Sequence, residues 1–505
     1  MLPPAVDAAP LPSDPLALQK PLEQFRANTK RLAIHPTEKI LLWIVTFHLC
    51  ALPWALGGMR PWSQIPGFIL AALGFVVALL PRNYTEEHTG ANRFRLMMWP
   101  KLLRFPLFWL GLALLALVTV QIYNPAWEYR TDGKVWWMRK IEFIDWLPAG
   151  VEAPFERWGP QRMLMIYATV WLTVCSLWVG FTRRRTLQQF LIALAVNGSL
   201  FALFGIAQRM LSNGKMFWSW KSPNDAFFAS FIYKNHGGSY LCLTLALTCG
   251  LAGWYYLRGQ RRLEKSNPSG LFVFFATCTA VAILVSYARG ATLVMLGFLC
   301  LIIGAFVVNQ LRSNNENRRP VVMIVLVLIF GFFLKTGLEA LNTHEAWTRL
   351  KQGMTNEDLS LEVRRMATRA TLDMLPDHGQ MGAGAGSFRF LFPAYQQRYP
   401  QIFAIGGNRM VWDHAHNDIA QTAVEFGLPG AILFLGFAGY FTVALVRAYF
   451  WGNPVSSCLV LAVLLLTIYS WWDFPLQNPS VLGLAMTFLV AAVMWARFEE
   501  TGAKG

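Results

Sequence analysis

The chain predicts an all-α, polytopic membrane protein, and three observations predict it. Hydrophobic residues make up 55% of its 505 residues and charged ones only 14%, where soluble domains carry roughly 25%. Apolar runs recur from residue 40 to residue 497, each close to the roughly 20 residues a helix needs to cross hydrocarbon. Short basic loops separate many of these runs, and in lipid only helices and closed barrels satisfy every backbone group.

About twelve spans are expected at this length per crossing. They fall near 40–58, 66–80, 103–122, 163–182, 187–206, 238–257, 271–288, 291–309, 321–338, 416–447, 455–473 and 480–497. The second is short. The tenth is long, with a break expected at Gly427–Gly430. Residues 1–38 are Pro-rich and polar without an apolar centre, unlike a cleavable signal peptide, and read as a flexible cytoplasmic tail. Spans one to nine then fill 39–338, a large loop covers 339–415, and the last three spans and a cytoplasmic C-terminus occupy 416–505.

Orientation follows from the short loops. Arg82, Arg93, Arg95, Lys101, Arg183–Arg185, Arg258, Arg261, Arg262, Lys265, Arg312, Arg318 and Arg319 all fall on one side, which the positive-inside rule makes cytoplasmic. That bias explains much of the net charge of +16 without invoking nucleic acid. The opposite, non-cytoplasmic side receives loops 124–162, 209–236 and 339–415. Trp127, Trp136, Trp137, Trp146, Trp158, Trp218 and Trp220 crowd the first two and read mainly as interface anchors. In the third, Leu361–Met374 has helical amphipathic spacing, with Arg364, Arg365 and Arg369 on its basic side. Gly382-Ala-Gly384-Ala-Gly386-Ser-Phe388 follows as a flexible turn. The seven cysteines all fall in expected spans and read as small packing residues.

Three groups converge on the non-cytoplasmic face. His414, His416, Asn417 and Asp418 stand where the chain re-enters the bilayer, and ionisable groups there are functional candidates. With a helix starting near His416, Asn417, Gln421 and Glu425 share one face, and the helix N-terminus suits a phosphate. Arg289 lies in the turn between spans seven and eight, where positive-inside logic disfavours it; its planar fork matches a diphosphate. Lys234, Asn235 and His236 precede span six, and Arg209 ends span five, adding positive charge to the same pocket. Arg364 is a similar candidate. No P-loop, dinucleotide fingerprint or nucleophile elbow is present. Asp413, His414, His416 and Asp418 make only a weak metal pattern.

His416-Asn417, then nine residues, then Gly427-x-x-Gly430 resembles the signature of the O-antigen ligase family, which includes O-antigen polymerases and O-linked oligosaccharyltransferases. The Ser286-x-x-Arg289-Gly290 turn, the Asn235-His236 pair and Leu372–Phe388 with its glycines are similar to that family too. The resemblance implies glycan transfer at the periplasmic face of the bacterial inner membrane, metal-independent, inverting and without a cofactor. The donor would be a glycan on undecaprenyl diphosphate, and the acceptor lipid A–core, another lipid-linked repeat unit or a protein hydroxyl, with the ligase reaction placed first. His416 would be the general base, with Asn417 orienting it. Arg289, with Arg209 or Arg364, would stabilise the departing diphosphate; His414, Lys234, Asn235, His236 and Gln421 would line the substrate site. A transporter is the rival class, but its ionisable residues belong deep in broken helices, whereas these cluster at one face.

Overall fold

Helices occupy eleven of the twelve expected segments in the computed structural model, which describes residues 34–84, 94–262, 266–312, 359–405 and 408–503, and six positions between 328 and 336. They are α1 (Pro36–Trp54), α2 (Pro61–Leu79), α3 (Pro106–Tyr123), α4 (Pro160–Gly180), α5 (Arg184–Met210), α6 (Lys234–Arg262), α7 (Ser269–Val285), α8 (Arg289–Arg312), α11 (Asp418–Arg447), α12 (Pro454–Tyr469) and α13 (Pro479–Ala503). Between α8 and α11 lie α9 (Leu359–Leu372) and α10 (Phe388–Gln396). Eight helices among the described residues are long and apolar enough to cross a membrane: α2 to α6, α8, α11 and α13. Helices α7 and α12 are apolar but shorter. The segment 321–338 lies mostly outside the described residues, as does most of the N-terminal tail.

The starts of these helices are written locally. Proline opens α1, α2, α3, α4 and α12, where its missing N–H costs nothing and its fixed φ is already helical. Asn453 caps α12 by accepting from the amides of Val455 (2.9 Å) and Ser456 (3.4 Å). Helix α11 breaks as expected, at Gly427, whose φ of 56° and ψ of −155° lie far from helical values. Pro429 leaves the helix short of a donor there, and the Leu428 amide turns to Gly379 O and Gln380 O, each at 3.0 Å.

That break corrects one expectation. The Gly382–Phe388 stretch is not a loose turn but is packed into the kink. The amides of Ala383 and Gly384 donate to Val424 O and Glu425 O, both at 2.9 Å. A Cβ on Gly427 would lie 2.5 Å from the Gly382 nitrogen, so a side chain there would push the two backbones apart. The loop is thereby fixed to α11 just below the histidines.

The two longest described loops form one layer over this end of the helices. Strands β3 (Pro125–Thr131), β4 (Trp136–Lys140) and β5 (Gly150–Glu152) make a sheet of order β4-β3-β5, the sequel to the short β1–β2 pair (Arg82–Tyr84, Phe94–Leu96). Tyr129 and Trp136 pack edge-on against Phe390 of α10, and Ala367, Met374, Phe388, Phe392 and Trp412 fill the layer's own core. Trp127, Trp136 and Trp158 are thus packed against protein rather than serving as interface anchors, while Trp137 and Trp146 stay exposed. The cysteines divide too: Cys175, Cys242 and Cys458 are buried, but Cys300 is exposed.

At the opposite end, Arg82 is not a free loop charge. It is fully buried and pairs with Glu38 at 2.6 Å. Glu38 also accepts from the hydroxyls of Thr182 and Thr186, both at 2.6 Å, and from the Thr182 amide at 3.0 Å. This network ties the start of α1 to the α4–α5 turn.

Candidate active site

Helix α11 begins at Asp418, not at His416. Asn417 is its cap: the side-chain oxygen accepts from the Ala420 amide at 2.9 Å, which satisfies one of the helix's orphan donors. Gln421 and Glu425 share the buried face below it. Gln421 accepts from the Ala415 amide at 3.0 Å and donates to Glu425 at 2.9 Å, so it holds the segment between the two histidines. His416 itself has φ of 53°. A non-glycine residue held there is strained, and such strain collects at functional sites.

His416 faces Asp473, which follows α12. The Nδ1 to Oδ1 distance is 3.7 Å, within ion-pair reach but too long for a direct hydrogen bond. Asp473 is the hub of the site. It accepts from Asn235 Nδ2 (2.5 Å), Tyr469 OH (2.5 Å), Tyr233 OH (3.4 Å) and its neighbouring Phe474 amide (2.9 Å), and Arg364 lies 3.6 Å away. Burial by itself would raise the Asp473 carboxyl, but His416, Arg364 and the Tyr469 hydroxyl outweigh it and hold it below the usual carboxylate range. Burial lowers the His416 imidazole below its ordinary value and overcomes the opposing pull of Asp473. A neutral imidazole beside an ionised carboxylate results. A carboxylate facing Nδ1 favours the proton on that nitrogen and leaves Nε2 free to accept. The His416 side chain keeps 22% of its surface exposed, against 1% for Asp473.

Phe474 is the apolar centre around which the three histidines gather. His414 stacks on its ring at 4.7 Å, and His416 and His236 meet it edge-on at 4.6 and 4.9 Å. His236 is fixed further by the Phe474 carbonyl at 3.1 Å. His414 is buried, and burial together with the Arg389 charge pushes its pKa well below the ordinary value.

Four cations lie near one another in this region. Arg364 donates to Tyr233 OH at 3.0 Å. Burial favours its neutral form, yet Tyr233 and Asp473 more than offset this and raise its pKa. Arg209, Arg289 and Arg364 all repel the Lys234 ammonium, which places the four charges in one field. Arg209 lies over the Tyr287 ring at 5.2 Å, and Arg289, exposed, opens α8. Gly290 explains how this corner closes: a Cβ there would sit 2.2 Å from the Tyr469 ring. Its absence lets Tyr469 lie against the start of α8 and still reach Asp473. Every expected site residue therefore belongs to a connected region, though Asn417 and Gln421 act on its backbone.

Asp473, Tyr469 and Tyr233 complete the site beyond the expected residues. Asp473 stands in Trp471-Trp472-Asp473-Phe474-Pro475 at the end of an apolar span, and an ionisable residue in that position was the available signal. Tyr469, the last residue of α12, reaches it through its hydroxyl.

Residues 272–435 match the family described as O-antigen ligase. That stretch is similar to the O-antigen ligase and polymerase superfamily. No curated protein matches the chain. The matched domain contains Arg289, Arg364, His414, His416, Asn417, Gln421 and the Gly427 break. Arg209, Lys234, Asn235, His236 and Asp473 reach the same site from outside it. The match supports a membrane glycan transferase of the O-antigen ligase and polymerase type, with lipid-linked glycans in general as substrates.

Proposed function

We propose that this chain is an O-antigen ligase-type glycosyltransferase of the bacterial inner membrane. It moves a glycan from undecaprenyl diphosphate to a lipid A–core acceptor at the periplasmic face, without a metal and with inversion. The observation that carries this reading is a partly exposed, neutral His416 held beside Asp473, with four cations gathered near one another.

In this mechanism the acceptor hydroxyl attacks the anomeric carbon as the bond to the diphosphate oxygen breaks. His416 Nε2 takes the hydroxyl proton, and the ionised Asp473 stabilises the imidazolium that forms. General-base assistance of this kind contributes about 10²–10⁴-fold. The diphosphate leaves with the bonding pair, and its growing charge meets Arg289, Arg209, Lys234 and Arg364. Guanidinium and ammonium groups aimed at developing charge act most strongly where water is excluded. Attack from the side opposite the leaving group gives inversion.

Transfer from a purified lipid-linked glycan to lipid A–core, with wild type and His416→Ala compared in proteoliposomes, tests the assignment. Near-normal transfer by the variant overturns the base role. The glycan profile of a deletion strain tests the acceptor: free lipid A–core with polymer left on its carrier supports the ligase reaction. Core bearing one repeat unit identifies a polymerase, and an unmodified glycoprotein an oligosaccharyltransferase.

A further inference from the structure

A second feature lies beside this site. Between α5 and α6 the chain makes a small hairpin in which Met216 and Trp220 exchange both backbone hydrogen bonds, at 2.8 and 2.9 Å. The Ser219 amide closes the turn onto Met216 O at 3.2 Å. Its two central residues are Phe217 and Trp218, with φ of 52° and 57°. Turns with two positive-φ residues ordinarily use Asn-Gly, because larger side chains are strained there. Here the strained positions hold two large aromatic rings, and both stay exposed, as does Trp220.

The hairpin does not stand away from the helices. Phe217 and Trp218 pack on Phe204 of α5, with ring centroids 5.4 and 5.8 Å apart. Phe204 lies six residues before the end of α5, about 9 Å back along its axis at 1.5 Å per residue. Phe204 also touches Trp54, the last residue of α1, at 5.2 Å. The aromatic turn therefore sits at the level where a neighbouring helix ends. Below it the exposed face of α5 is apolar (Val196, Leu200, Leu203), and above it Met210 and Leu211 continue that face. Lys215 and Lys221 bracket the turn and are exposed. The Trp218 indole donates to Leu211 O at 2.9 Å and locks the hairpin to the end of α5.

We infer that residues 210–221 form a membrane-surface anchor: the Phe217, Trp218 and Trp220 rings enter the bilayer interface, and Lys215 and Lys221 meet lipid phosphates. The occupant is bilayer phospholipid. An apolar face continuous with a membrane-crossing helix, aromatic rings at the helix-end level and flanking lysines are the features that interface favours. An anchor here also sets the depth of Arg209, one residue before Met210, relative to the headgroups.

The test is photo-crosslinking in phosphatidylethanolamine–phosphatidylglycerol proteoliposomes, with a benzophenone amino acid replacing Trp218 and, in a second variant, Trp220. Position Val135, exposed in the β3–β4 turn, serves as the comparison. The expected result is a phospholipid adduct, read by mass, at 218 or 220 that exceeds the yield at 135 at least fivefold. Phe217→Gly combined with Trp218→Gly suits the backbone and removes both rings; it should abolish the adduct formed from position 220. Equal yields at all three positions overturn the anchor, as do adducts only to glycan or to a second copy of the chain.

Discussion

Two buried carboxylates, Glu38 and Asp473, lie near opposite ends of the helices. Each collects several donors, including an arginine. Around Glu38 the set is closed: Arg82 and both threonines are buried with it, and nothing in it meets solvent. Around Asp473 the set is open, because Arg364 and His416 keep 26% and 22% of their side chains exposed. A sealed network holds segments together but can do no chemistry. An open one leaves a lone pair and a cation facing the place a substrate can reach. On the proposed reading the same charges serve structure at one end and reaction at the other, and exposure separates them.

The sharpest way to break this contrast is at His416. His416→Ala should lower transfer by about 10²–10⁴-fold with little change in thermal unfolding; an unfolded variant would make the open network structural as well. Glu38→Gln should do the reverse. Removing the charge leaves Arg82 buried and uncompensated, a loss of about 3–5 kcal/mol, read as a lower unfolding midpoint with unchanged transfer per folded molecule. Asp473→Asn should reduce transfer about tenfold or more, equivalent to about 1.4 kcal/mol. Arg289→Lys keeps charge but loses the fork, so a smaller loss of transfer is expected, with the acceptor KM unchanged.

The pH profile sharpens the comparison further. Burial lowers the His416 pKa below its ordinary value, so the imidazole stays neutral as pH falls through about 6.5. Transfer should hold through that range and decline only at lower pH. Asp473 favours the imidazolium, so Asp473→Asn should move the acid limb lower still. A limb at or above 6.5 in the wild type contradicts the buried, neutral histidine.

Much of this was legible in the residues. Apolar run length marked the helices, and Gly427–Gly430 marked the break. The histidine pair and Arg289 stood out because ionisable groups at span ends are costly. What the sequence hid was pairing. Arg82 reads as a loop charge until Glu38, 44 residues away, is seen to neutralise it. Asp473 reads as an edge residue until α6, α9 and the α11 lip converge on it. Asn417 looked like a partner for His416 because it is adjacent, but its side chain is occupied in capping the helix. The glycine run suggested freedom, whereas its positive φ values at Gly382, Gly384 and Gly386 fit it closely against a kink that periodicity does not locate in space.

One detail of the histidine lip has a practical reach. At position 416 the left-handed backbone disfavours any side chain by about 1 kcal/mol or more relative to glycine. His416→Gly and His416→Ala should therefore be equally inactive, yet the glycine protein should melt higher. A stability screen that ignores turnover would favour losing the imidazole, so thermal selection applied to this protein needs an activity check at every round.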